Sequence, residues 1–228
     1  MNKTSRQSRV KAFGLGRSRE AKRSSCHSTR AALLEAAKEV FAKLGFEATT
    51  FNAISEKAGV SGSQINYYFQ DKIQLYRAIL ENAGSSKKLD YMRNLLGTAS
   101  SETEFRLKLE LFISELLAFY ANDSATIRVF IFEVARGLPF GKDILKAKLG
   151  NIWNDLVHFF ESAARNGFIH TTIEPKVVAL SLIGMVHSVG SARLLNLKFD
   201  EVSLKDEAQR VSLAQKLTGF LIAGLKTP

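Results

Sequence analysis

The stretch Thr50–Lys72, TFNAISEKAGVSGSQINYYFQDK, decides the fold of this chain. Its first residue, a threonine, is of the type that caps the start of a helix, and Gly59 is placed to end that helix. Ser61 can cap a second helix, in which Ile65 and Phe69 fall on one face at a spacing of four. Two short helices joined through a glycine predict a helix-turn-helix, whose second helix lies in a DNA major groove.

The flanking residues predict one helix on each side of this stretch. A helix over residues 28–44 should end at Gly45, and Phe46 should fill the core behind it. Asp71 can cap a further helix that runs from Lys72 to about Ala83. The first of these helices carries an apolar stripe at steps of three and four, which comprises Leu34, Ala37, Phe41 and Leu44.

The segment GVSGSQINYYFQDKIQL, residues 59–75, resembles the signature of the tetracycline-repressor (TetR) family. Glycine–valine–serine is followed by a small polar helix, an aromatic pair ending in phenylalanine, and a lysine three residues later. Residues 29–50 are similar to the family's first helix and glycine turn. Asn66 departs from the pattern, because the family usually has a phosphate-contacting tyrosine there. The resemblance implies a homodimeric regulator that binds operator DNA and a small inducer.

The outer side of the predicted recognition helix is small and polar, so its start can approach DNA closely and offer free N–H groups to a phosphate. Gln64 and Asn66 can each bond adenine N6 and N7, worth about 1–3 kcal/mol per good pair. Tyr67 can meet a thymine methyl or a phosphate, and the resemblance gives Lys72 a phosphate contact. For each residue the alternative is ordinary solvated surface. The predicted DNA-binding residues are Thr50, Asn52, Ser61, Gly62, Ser63, Gln64, Asn66, Tyr67 and Lys72.

Charge is concentrated at the start of the chain. The whole sequence has 32 basic and 22 acidic residues, a net charge of +10, and residues 1–27 hold eight basic and one acidic residue, a net +7. A basic segment beside a helix-turn-helix is typical of a nucleic-acid-binding protein. We expect residues 1–25 to be disordered when free, either as an arm that follows DNA or as a solvated tail.

The sequence predicts an all-α fold, with an N-terminal three-helix head and an antiparallel helical body for ligand binding and dimerisation. The predicted domains are the basic arm at 1–25, the helix-turn-helix domain at 26–75 and the body at 76–228. The single cysteine, Cys26, excludes an intrachain disulfide, and four scattered histidines show no metal-ligand spacing. No metal and no cofactor are expected.

The body is rich in aromatic residues, which either line a cavity for an apolar or aromatic ligand or simply pack the core. The resemblance favours the cavity, and His187 in an apolar run is either a ligand contact or a core histidine. The predicted ligand-binding residues are Phe112, Phe119, Phe132, Trp153, Phe160 and His187.

The last two helices suggest a homodimer interface, although packing inside one protomer explains their patterns equally well. One helix has a small-residue face and the other an apolar face. A two-fold dimer would bind a roughly palindromic operator. The two faces comprise Ser181, Gly184, Ser188 and Ser191, and Ala214, Leu217, Leu221 and Gly224.

Other classes of protein are less well supported. The longest apolar run, Val177–Ala192, is too short and polar to span a membrane, and no secretory signal is recognisable, so a bacterial cytoplasmic protein is expected. The arginine- and serine-rich start also fits an organellar transit peptide. No nucleophile elbow, phosphate loop or carboxylate–histidine cluster indicates an enzyme. A non-specific nucleoid protein driven by the arm is the remaining alternative.

Overall fold

The computed structural model describes residues 28–83, 86–169, 172–192 and 203–225. The basic arm and Cys26 lie outside these residues. The described residues form ten helices and no strand, which confirms the all-α prediction. In chain order the helices are α1 (28–48), α2 (Phe51–Ala58), α3 (Gly62–Tyr68), α4 (Lys72–Asn82), α5 (Ser86–Leu95), α6 (Glu102–Asn122), α7 (Ser124–Ala135), α8 (Lys142–Arg165), α9 (Pro175–Ala192) and α10 (Glu207–Leu225).

The chain divides into two compact units between Ile79 and Leu80, inside α4. The first unit contains α1 to α3 and the larger part of α4, and we call it the head. The second contains the end of α4 and all later helices, and we call it the body. Helix α4 is therefore the element that contributes residues to both units.

Three aromatic rings form the centre of the head. Phe41 stacks on Phe46 with ring centroids 5.9 Å apart, and Tyr76 of α4 meets both rings edge-on at 5.0 and 5.2 Å. The predicted core position of Phe46 is confirmed. The predicted stripe on α1 is wrong at Leu44, which is 44% exposed. The predicted end of this helix at Gly45 is also wrong, because α1 runs on to residue 48. Gly45 has φ of +75° within its last residues, and beyond it Phe46, rather than Leu44, is buried against Phe41.

The body is organised around a single apolar core. Helix α6 packs mainly against α10 and also against α9, while α8 packs against α9. Phe105 and Phe159 stack at 4.9 Å in its interior. Ala214 and Leu221 of α10 are buried in this core, so the apolar face of α10 serves packing within the protomer. The opposite side of α10 carries Phe220, which is 72% exposed.

Helix α9 has two different sides. Six of its residues, including Val178, Leu182 and Val186, are buried against the body core. By length and composition alone α9 could cross a membrane, but a core helix passes the same test, so this is weak support for a span. Its other side leaves Val177 and Leu180 exposed.

A buried carboxylate joins α7 to α8. Glu133 is 1% exposed and accepts hydrogen bonds from the backbone N–H groups of Phe140, at 2.7 Å, and Gly141, at 2.6 Å. Both N–H groups lie where α8 begins, where a negative charge is favoured by the helix dipole. The intervening turn contains Leu138 with φ of +63°.

Candidate nucleic-acid interface

Local sequence signals build both helices of the motif as predicted. Thr50 caps α2, because its hydroxyl accepts a hydrogen bond from Ala53 N at 3.2 Å. Gly59 ends α2 in the left-handed conformation, with φ of +66°. Thr50 is exposed, and so is Asn52, the second residue of α2.

Helix α3 separates its buried and exposed residues sharply. Ile65 is fully buried and Phe69, at the C-cap, is almost so. The predicted DNA-binding residues of α3 occupy the other side, and Tyr67 is 79% exposed. Tyr68 is half-buried and holds its ring edge-on to that of Tyr67 at 5.0 Å. The exposed predicted residues are Ser61, Ser63, Gln64, Asn66 and Tyr67, whereas Gly62 is half-buried.

Two of these residues are engaged with their own helix. The side-chain oxygen of Gln64 accepts a hydrogen bond from Ser61 N at 3.3 Å, which is one half of a capping box. The hydroxyls of Ser61 and Ser63 lie 2.8 Å apart. A glutamine held this way still has its amide N–H groups, because the cap uses the oxygen alone.

The side chain of Lys72 makes contacts that the sequence did not predict. Its ammonium donates hydrogen bonds to three backbone oxygens, those of Phe46 at 2.9 Å, Glu47 at 3.3 Å and Thr49 at 3.1 Å. It also sits 4.5 Å from the centre of the Phe46 ring. A lysine has three N–H donors, so these carbonyls can use all of them. The cation thus neutralises the negative end of α1 and fixes the connection to α2.

Sequence reasoning also missed Arg30. Its guanidinium lies 5.0 Å from the centre of the Phe69 ring, next to the end of α3, and the residue is exposed. Helix α3 itself contains no arginine or lysine. Arg30 of α1 therefore brings a positive charge next to α3 that α3 does not supply. The only signal in the sequence was a basic residue near the start of the first helix.

The predicted ligand-binding residues lie in different environments, some in the core of the body and others on its surface. Phe112 and Phe160 are fully buried in the body core, and Trp153 packs against it. Phe132 is 39% exposed on α7, and Phe119 is half-buried. His187 is exposed, with its Nδ1 atom 2.6 Å from the Tyr120 hydroxyl and its Nε2 atom 3.3 Å from the Ser191 hydroxyl.

The body also presents a polar cleft of about 380 Å³. Arg93 and Asp155 form its ion pair, with Arg93 Nε donating to the carboxylate at 2.6 Å. None of the predicted ligand-binding residues lines it. The lining residues are Asp90, Arg93, Asn94, Leu96, Gly97 and Asp155.

Comparison with known proteins agrees with this geometry. Residues 33–79 match the family of bacterial regulatory proteins described as the tetR family. These residues include α2, α3 and most of α4, so the match covers the exposed polar side of α3 and the buried residues that support it.

Relatives with longer matches carry regulator names. The chain is 23% identical to the uncharacterised HTH-type transcriptional regulator YdgC of Bacillus subtilis, over 86% of this chain and 92% of that protein. It is 32% identical to the HTH-type transcriptional regulator RutR of Escherichia coli K12, over 52% of this chain and 53% of that protein. The solved structure of the transcriptional regulator FadR from Bacillus subtilis, in complex with stearoyl-CoA, has the same fold, with a TM-score of 0.63, 19% identity, and coverage of 86% of this chain and 99% of that one. The head of this chain, at residues 33–79, thus belongs to the tetR family, and the chain is a helix-turn-helix, DNA-binding transcriptional regulator.

Proposed function

We propose that the chain is a repressor that binds a roughly palindromic operator as a homodimer and is released by a small, largely apolar or aromatic ligand bound in the body. The observation that carries the proposal is the exposed polar side of α3. Gln64, Asn66 and Tyr67 are exposed together there, whereas Ile65 and Phe69 are buried beneath them. Such a helix has hydrogen-bonding groups to offer base edges without moving its core.

The remaining head residues have supporting roles in this proposal. Thr50 and Asn52 are exposed at the start of α2 and can reach the DNA backbone, where contacts fix orientation and carry no sequence information. Ser61, Gly62 and Ser63 keep the start of α3 small. Lys72 acts here by fixing the corner between α1 and α2, since its donors point to backbone carbonyls.

A second copy of the chain is the proposed partner of α9 and α10. On α9, Val177, Leu180, Ser181 and Gly184 form an exposed stripe at helical spacing, and Leu180 is 64% exposed. Phe220 contributes a large apolar group from α10. Two heads related by a two-fold axis would meet half-sites about 34–36 Å apart, which gives the palindrome.

For the ligand, the aromatic content of the body favours an apolar compound. FadR, which shares the fold, was solved with stearoyl-CoA, so fatty acyl-CoA thioesters form a reasonable first panel. Release requires that the ligand bind the DNA-incompetent state more tightly than the competent one. The proposal places the protein in the bacterial cytoplasm, where operator DNA is, with no membrane partner and no enzymatic activity.

The test is selection of DNA by the full chain from a random duplex library at physiological salt. We expect an enriched inverted repeat that binds about a thousandfold or more tightly than random DNA of equal length. Compounds of the panel are then scored by release from the selected duplex. A chain that enriches no sequence contradicts the operator proposal, and an operator that no member of the panel releases contradicts the proposed ligand class.

A further inference from the structure

The end of α4 is held by a lysine from α8. The ammonium of Lys148 donates hydrogen bonds to the backbone oxygen of Glu81 and, at 3.0 Å, to that of Ala83. These carbonyls lie at the C-terminal end of α4, where the last oxygens of a helix lack partners inside the helix. Because that end carries partial negative charge, a cation there is favoured. Lys148 is half-buried, so its contact is less screened by water than a surface pair.

A second contact between the same helices lies about two turns earlier, at Gly141, the N-cap residue of α8. A side chain added at Gly141 would overlap the end of the Leu80 side chain, so the backbone at the start of α8 approaches α4 closely. Glu133 fixes that backbone through its hydrogen bonds to Phe140 and Gly141. The final residues of α4 are therefore attached to α8 at two points.

Helix α8 also carries two of the residues proposed to sense a ligand. Phe160 is fully buried in the body core and Trp153 packs against it, five residues after Lys148. A ligand that separates these rings has to displace part of α8, because packed cores do not deform continuously. The residues of α4 before Leu80 belong to the head, so α4 is a covalent route from α8 to the DNA-binding unit.

We propose that Lys148 is a positioning residue, which sets the end of α4 relative to α8 and passes ligand-dependent displacement of α8 to α4. The coupling part of this inference rests on the proposed function. The contact itself is independent of DNA and ligand. Loss of the ammonium would leave the last carbonyls of α4 without this partner and loosen the last turn.

The first measurement is hydrogen exchange of the amides near the end of α4 in the full chain. We compare Lys148→Met, which keeps the length of the side chain, with Lys146→Met, which removes an exposed lysine on the same helix. Exchange in the segment that contains Leu80–Ala83 should accelerate about tenfold or more in Lys148→Met and stay unchanged in Lys146→Met. Lys148→Arg retains a cation and should restore protection. Wild-type exchange in Lys148→Met, or an arginine variant as fast as the methionine variant, would overturn the proposal.

The second measurement separates coupling from structural support. Dissociation constants are compared on the DNA duplex that the wild-type chain selects, with and without stearoyl-CoA, the first compound of the panel. We expect Lys148→Met to change the ratio of the two constants by about fivefold or more, while Lys146→Met does not. An unchanged ratio, together with fast exchange in α4, overturns the coupling. If the wild-type chain selects no DNA, or stearoyl-CoA does not release the DNA that it selects, the proposed function and the coupling fall together. The exchange measurement still decides whether Lys148 holds α4.

Discussion

The side chain of Gln64 accepts a hydrogen bond from the backbone N–H of Ser61 at 3.3 Å. The same glutamine is the residue best suited to bond an adenine, because its amide offers both a donor and an acceptor. It therefore has two roles that share the amide oxygen, whereas the amide N–H groups serve base recognition alone, so loss of sequence preference in an alanine variant would not tell the roles apart. A substitution that keeps the cap and removes the amide donor does.

We predict that Gln64→Glu keeps the stability of the head but loses sequence preference. A glutamate at this position of a capping box still accepts from Ser61 N, whereas it cannot donate to adenine N7. The difference in binding free energy between specific and random DNA should shrink by about 1–3 kcal/mol in Gln64→Glu and in Gln64→Ala. Only Gln64→Ala should also lower the unfolding free energy, by about 0.5–1.5 kcal/mol. A wild-type affinity ratio in Gln64→Glu would remove Gln64 from base recognition.

The head was predictable because its signals are local. The Thr50 cap and the left-handed Gly59 depend on backbone geometry within a few residues, and the four-residue spacing of Ile65 and Phe69 depends on the helix alone. The stripe on α1 was misjudged at Leu44 because the left-handed Gly45 changes the direction of the last residues of α1, so that Phe46 is buried and Leu44 is exposed.

Residue roles that depend on distant parts of the chain were not predictable. The partners of Lys72 lie 23 to 26 residues earlier in the sequence, and those of Lys148 lie 65 to 67 residues earlier. Neither spacing is a sequence motif. The aromatic content of the body likewise could not distinguish a pocket from a core, because both need the same residues. The predicted ligand-binding set thus combines buried Phe160 with exposed Phe132.

For Lys72 we predict a structural effect with little change in the salt dependence of DNA binding. Lys72→Met keeps the aliphatic stem and removes hydrogen bonds to three carbonyls. The unfolding free energy should fall by about 1.5–3 kcal/mol, the range for hydrogen bonds of charged groups. The slope of log affinity against log salt should match wild type on the selected duplex. A slope reduced by about one unit would show instead that this lysine neutralises a phosphate.

The proposed dimer gives a prediction on the exposed side of α9. Leu180→Glu places a charge within this exposed stripe and should convert the protein to monomers at micromolar concentration, since an unpaired charge is costly to bury in an interface. The control is Leu149→Glu, an exposed leucine on α8 that is 44% exposed. Sedimentation velocity measures both variants. A dimeric Leu180→Glu, or a monomeric wild type, would contradict this interface.

The last prediction concerns alkaline pH and Tyr120. Gly190 of α9 lies so close to the Tyr120 ring that an added side chain would overlap it, and burial raises the pKa of this phenol to about 12. The folded state therefore favours the neutral phenol, whose ordinary pKa is 10.0. Its contribution to stability is complete below the ordinary value and is lost as the pH rises from there through the folded value.

Tyr120→Phe should accordingly flatten the loss of unfolding free energy with pH in that alkaline range, while Tyr91→Phe, which changes a more exposed tyrosine of the body, should leave it as in wild type. Urea unfolding at a series of pH values measures the difference in unfolding free energy between each variant and wild type. In that difference the contributions of the lysines and tyrosines that all three proteins share cancel. Tyr120→Phe also loses the hydrogen-bonding partner of His187, but that loss shifts stability below the titration range as well. Parallel curves for wild type and Tyr120→Phe across that range would mean that the phenol ionises in the folded protein as easily as in the unfolded one, contrary to its burial against Gly190.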